Sequence, residues 1–144
     1  MNRYTLLIGL LAATLTAAPS AQEDDMTDYD AIKATISDYF DGVRTADRTR
    51  LERAFAVEAG HMKGYLKNTD GKFELSSRPI RDVIDDWAAR DPKPEMQGRI
   101  LAVNIYSDIA AQVLFDFDGI YTDAFQLAKI DGQWRIVNKF YIGR

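Results

Sequence analysis

The chain has 144 residues, one histidine, no cysteine and a formal net charge of −4 at pH 7. Lack of cysteine rules out disulfide staples and cysteine-linked lipid, and one histidine without thiolates cannot build an ordinary zinc site. The acidic balance argues against nucleic acid as a partner, because phosphate backbones reward clustered Lys and Arg.

The opening segment MNRYTLLIGLLAATLTAAPSAQ carries Arg3, then an apolar run from Leu6 to Leu15, then small residues. That order predicts a secretory signal over residues 1–21, cleaved near Ser20 or Ala21, and a secreted or periplasmic mature protein. The run is shorter than the ~20 apolar residues of a spanning helix. An uncleaved anchor is the alternative; after cleavage no membrane association is expected. Cleavage removes Arg3 and no acid, taking the charge from −4 to −5. Residues 22–27 read as an acidic tether and 28–144 as one domain, of a size that can bury its own core.

Thr27 is placed to cap a first helix, with Asp30 three residues on. Ile32, Ile36, Tyr39, Phe40 and Val43 recur at helical spacing and make its apolar stripe. A second, shorter helix is expected from Asp47, burying Leu51 and Phe55. HMKGYLKNTDGKFEL reads as two short strands about the turn residues 68–71. Ser77 is the expected cap of a third helix, with Ile80, Val83, Ile84 and Trp87 on one face; RDPKP ends it, since proline cannot continue a helix.

After Pro94 the apolar period drops from about 3.6 residues to about 2. RILAVNIY, AAQVLFDF, YTDAFQLAKI and QWRIVNKFYI are four strand candidates, separated by turns at 107–108, 118–119 and 131–132. Asp131 and Gly132 form a strong two-residue hairpin signal. Three helices ahead of a mainly antiparallel sheet predict an α+β fold with the helices laid on one face.

The last hairpin fixes a register. With Asp131 and Gly132 as the turn, Lys129 faces Trp134, Leu127 faces Ile136, Phe125 faces Asn138 and Asp123 faces Phe140, and facing residues share a side. One side then collects Asp123, Phe125, Leu127, Trp134, Ile136, Asn138 and Phe140 as the core side. Lys139 falls on the other, more polar side with Val137 and Tyr141, which is the candidate dimer surface. Asp123 is a carboxylate among apolar groups, expensive to bury unless hydrogen-bonded or solvated. It reads either as a pocket acceptor or base, or as an acid held by backbone amides or an arginine.

The segments GHMKGYL (60–66), GRILAVNIYSDIAAQVLF (98–115), YTDAFQLAKIDGQWRIVNKFY (121–141) and AIKATISDYFDGVRTAD (31–47) together resemble the NTF2-like superfamily. More narrowly, the chain looks like its exported "putative lumazine-binding" branch, near the polyketide-cyclase-related (SnoaL-like) members. The resemblance implies a cone of curved sheet around helices, a ligand-sized cavity and a homodimer through the outer sheet face. It implies no fixed catalytic set, since fold alone does not carry chemistry.

His61 and Asp123 are the candidate acid–base residues, a dyad if they come within hydrogen-bond reach. His61 reads equally as a histidine satisfying backbone groups at a helix–strand junction. Tyr39, Phe40, Phe55, His61, Tyr65, Trp87, Asp123, Phe125, Asn138 and Phe140 are the candidate ligand-binding residues, although aromatic residues at helical spacing commonly serve the core instead. DFDG (116–119) lacks the rest of a calcium loop, and no phosphate-binding glycine loop or nucleophile motif is present. No metal and no cofactor are expected. The leading expectation is a small-molecule binder with an aromatic pocket; the alternatives are a cofactor-free isomerase or cyclase and a non-catalytic interaction module.

Overall fold

Thr27 caps the first helix as its position predicts. Its Oγ1 accepts from the Asp30 amide at 3.2 Å and its hydroxyl donates to Asp30 Oδ2 at 2.6 Å, satisfying an orphan donor of the first turn. The computed structural model describes residues 26–143; the expected signal and residues 22–25 of the tether lie outside the described residues. Helix α1 (Asp28–Thr45) buries Ile32, Thr35, Ile36 and Tyr39 and stops where Ala46 turns left-handed, at φ 56°. Asp47 caps α2 (Arg48–Ala54). A Cβ on Gly42 would meet Leu51 Cγ at 2.8 Å, so this glycine lets the two helices lie close together.

Strands β1 (His61–Lys67) and β2 (Phe73–Pro79) form the first hairpin. Ser77 does not cap the third helix. It stays in β2 opposite Lys63, and Pro79 takes the cap position of α3 (Ile80–Ala88) without a side-chain hydrogen bond. Pairing with β1 continues as far as His61 opposite Pro79, and that ladder overrides the local capping preference of serine. The meander follows as β3 (Gly98–Ser107), β4 (Ala110–Phe117), β5 (Tyr121–Ile130) and β6 (Gln133–Gly143). Asp131 and Gly132 both have positive φ, 50° and 76°, as a two-residue primed turn requires.

The sheet order is β2-β1-β6-β5-β4-β3, antiparallel throughout except where β6 runs parallel to β1. The helices lie on one face of this sheet, giving the expected α+β arrangement. Asp28 ties the start of α1 to the last hairpin: Trp134 Nε1 donates to it at 2.9 Å and Lys129 Nζ lies 2.5 Å away.

The predicted register holds from the turn to Leu127 opposite Ile136 and then breaks. A β-bulge at Val137 moves the ladder by one residue, so Phe125 faces Lys139 and Asp123 faces Tyr141. An extra residue on one strand reverses its in–out alternation from that point onward. Lys139 and Tyr141 therefore turn inward, and Asn138 and Phe140 turn outward, the reverse of strict alternation. Two rows cross the inner face: Val113, Phe125, Lys139, Met62 and Arg78, and next to it Phe115, Asp123, Tyr141, Gly64 and Ser76.

Much of the space between helices and sheet is filled. The Tyr39 ring lies 5.0 Å from Phe125, 5.8 Å from both Phe55 and Trp87, and 6.1 Å from Phe115, centroid to centroid. Edge-to-face contacts of this kind add to the area term of the core.

Candidate functional site

At the centre of the inner face, Lys139 Nζ donates to Asp123 Oδ1 at 2.6 Å, and Tyr39 OH donates to Asp123 Oδ2 at 2.8 Å. Asp123 is 0% exposed and Lys139 4%. The Lys139 ammonium also stands 4.5 Å from the Tyr141 ring centroid, a favourable place for a desolvated cation. Each element contributes one part: α1 brings the phenol, β5 the carboxylate, and the bulged β6 the amine. Gly64 of β1 makes room, because a Cβ there would sit 2.5 Å from Tyr141 Cζ.

Above this trio a cavity of about 270 Å³ opens toward the segment after α3. Tyr39, Trp87, Phe117, Tyr121 and Tyr141 supply its rings, Met62, Met96 and Val43 its apolar filling, and Lys139 lies at its inner wall. Arg78, Arg90, Lys93 and Asp91 complete the lining. An occupant packed at the interior density of about 0.74 would fill roughly 200 Å³. That is room for one or two fused rings, smaller than a polycyclic skeleton.

Asp123 does not line the cavity. It sits behind Tyr39 and Lys139, each of its oxygens engaged by one of them. Burial pushes its carboxyl up from the usual range, with the Lys139 and Tyr39 contacts pulling the other way. Burial pulls the Lys139 ammonium down, opposed by Asp123. Tyr39 is held well above the usual phenol range, by burial first and by the adjacent carboxylate second. Lys139 lines the cavity from its buried side, and Asp123 takes one of its three ammonium donors.

The structure brings some predicted residues to this site and separates others. Tyr39 and Trp87 line the cavity, while Asp123 stands one layer behind it. Phe55 and Phe125 are buried in the core, and Phe40 packs against Phe115 and Phe117. His61, Tyr65, Asn138 and Phe140 are misplaced by the sequence reading. His61 is exposed, its Nδ1 3.3 Å from the Ala59 carbonyl, and the register puts it on the outer sheet face beside Asn138. Tyr65 is 43% exposed and stacks on Phe73. Asn138 lies between Lys63 and Gln126, and Phe140 shares its outer row with Ala124 and Lys63. His61 and Asp123 occupy opposite faces of one sheet and form no dyad.

Lys139, Tyr121, Tyr141, Met62 and the rim cations were not legible as site residues. One signal existed. In IVNKFY two polar residues stand together between apolar pairs, a break in alternation that marks a bulge. Among the described residues, no group of three or more His, Cys, Asp or Glu side chains is arranged to hold a metal ion.

The comparisons agree with this architecture. The chain is similar to an NTF2-like protein of unknown function from Shewanella baltica OS155, at 30% identity, TM-score 0.68, covering 81% of this chain and 93% of that one. A second such protein, from Methylobacillus flagellatus KT, is 26% identical with TM-score 0.67, covering 81% and 92%. A third, from Silicibacter pomeroyi DSS-3, is 25% identical with TM-score 0.64, covering 81% and 95%. No curated protein matches the chain. Residues 27–142 match the family described as "Putative lumazine-binding", and with its α+β, NTF2-like fold the chain belongs to that family.

Proposed function

We propose that this protein binds a small planar molecule of one or two rings in the cavity over Lys139, and that it does so outside the cytoplasm. The observation that carries the reading is a nearly fully buried lysine lining a ring-walled hollow in which Asp123 engages only part of its donor capacity. Binding cavities typically combine apolar walls with a few placed polar groups. The family description points to a small-molecule ligand, and the N-terminal signal pattern supports export.

The test is native mass spectrometry of protein extracted from its own cell envelope, followed by denaturation of the same sample. A co-released small molecule is expected, from a chain that begins near residue 21. An empty protein that is also not stabilised thermally by any one- or two-ring compound would overturn the reading.

A cofactor-free isomerase or cyclase is the second reading, and the trio favours one form of it. Lys139 and Tyr39, not His61, would face the substrate, with Asp123 setting their charge from behind. A role as a homodimer through the outer sheet face also belongs here: Leu114, Ala124 and Phe140 form one apolar row across that face, with Ile142 and Tyr65 in the row beside it.

A further inference from the structure

The reading of the cavity as a ligand site leaves open what kind of molecule it takes, and its charges narrow the choice. A lysine ammonium has three N–H donors. Asp123 is the hydrogen-bond partner of Lys139 among the described residues, and the other oxygen of Asp123 is taken by Tyr39. Asp123 thus takes one of the three donors, and the other two have no hydrogen-bond partner among the described residues. The unspent donors lie at the cavity wall, in a place too buried for free solvation, where an unmet charge-assisted hydrogen bond weighs most.

The rim repeats the sign. Four of the lining residues are cationic and one, Asp91, is acidic, on a chain whose formal charge is −4. Arg78 is turned to Asp86 at 2.8 Å. Arg90 and Lys93 are exposed and enter no ion pair among the described residues. They follow α3 directly, where Pro92 and Pro94 hold the segment out of helix. An anion placed against Lys139 would add negative charge beside Asp123, and these two cations stand where they can balance it. A neutral ring would leave Arg90 and Lys93 without a counter-charge and the remaining Lys139 donors without an acceptor.

We propose that the ligand is a planar ring bearing a compact anion, such as a carboxylate, gripped at depth by Lys139 and balanced at the rim by Arg90 and Lys93. The proposal rests on the cavity being a ligand site and adds its charge. Tyr39, Trp87 and Tyr141 sandwich the ring body; the anion takes the donors that Asp123 leaves.

A matched pair tests the charge separately from the pocket. Isothermal titration of the purified protein with 2-naphthoate and with 2-naphthamide, equal in shape, is expected to show the acid at least tenfold tighter at low salt. That advantage shrinks as ionic strength rises, since the rim cations are exposed and screened. The double variant Arg90→Gln/Lys93→Gln, on exposed positions that leave the core intact, lowers affinity for the acid several-fold more than for the amide. Equal affinities, a tighter amide, or a variant that loses both equally would overturn the anionic proposal and leave the pocket standing. No binding of either compound at millimolar concentration would overturn both.

Discussion

Lys139 and Asp123 meet at 2.6 Å, near the middle of a six-stranded sheet, with almost no solvent on either. Removing one partner strands a buried charge, which costs about 3–5 kcal/mol, whereas removing both is far milder. Lys139→Met and Asp123→Leu should therefore each lower the urea midpoint sharply, and the double variant should recover most of that loss. Additive losses in the double would show that the contact does not hold energetically.

Tyr39 links the same carboxylate to pH. Its folded value lies well above 10.0 because of burial and the Asp123 charge. The contribution of Tyr39 to stability is thus complete below pH 10 and is lost as pH rises through the folded value. The Tyr39 phenol should titrate at 295 nm only as the protein unfolds in alkali. Tyr39→Phe removes that alkaline component, and at neutral pH it costs about 1–3 kcal/mol by leaving Oδ2 of Asp123 unpartnered. An unchanged alkaline transition in the variant would contradict the assignment.

Gly64 gives a steric test of the cavity wall. Gly64→Ala puts a Cβ 2.5 Å from Tyr141 Cζ, and overpacking of this kind costs about 1–3 kcal/mol. The Tyr141 ring must swing, so the same change should weaken ligand binding beyond its effect on stability. A variant with wild-type affinity would place Tyr141 outside the binding wall.

The outer face can be tested by mass. Light scattering after size exclusion should give a dimer for the wild type, and Leu114→Lys, at a position 37% exposed, should give a folded monomer. A wild-type monomer at high micromolar concentration would remove the dimer proposal.

The element order was readable because its cues are local. Thr27 and Asp47 announce helices, Asp131–Gly132 announces a turn, and each acts within four residues of itself. The site was harder to read because it depends on one extra residue, Val137. In the last hairpin alternation sorted the pairs correctly up to Ile136; past it, the same rule sent Lys139 outward and Phe140 inward. Strand parity has no memory of why it was set, so a single bulge inverts everything downstream. His61 failed differently: its chemistry is attractive, but β1 offers its other parity, Met62 and Gly64, to the interior. The rim cations belong to an irregular segment, where no periodicity exists to read.

The position of β6 bears on how the molecule comes to exist at all. β6, far along the chain from β1, is seated between β1 and β5, and among the described residues the first hairpin joins the meander's sheet only through it. While the chain is still being synthesised, the early half has no partner to zip onto, and long-range pairings of this type form slowly. The two halves of the sheet therefore close through a single strand, and losing β6 would part the first hairpin from the meander.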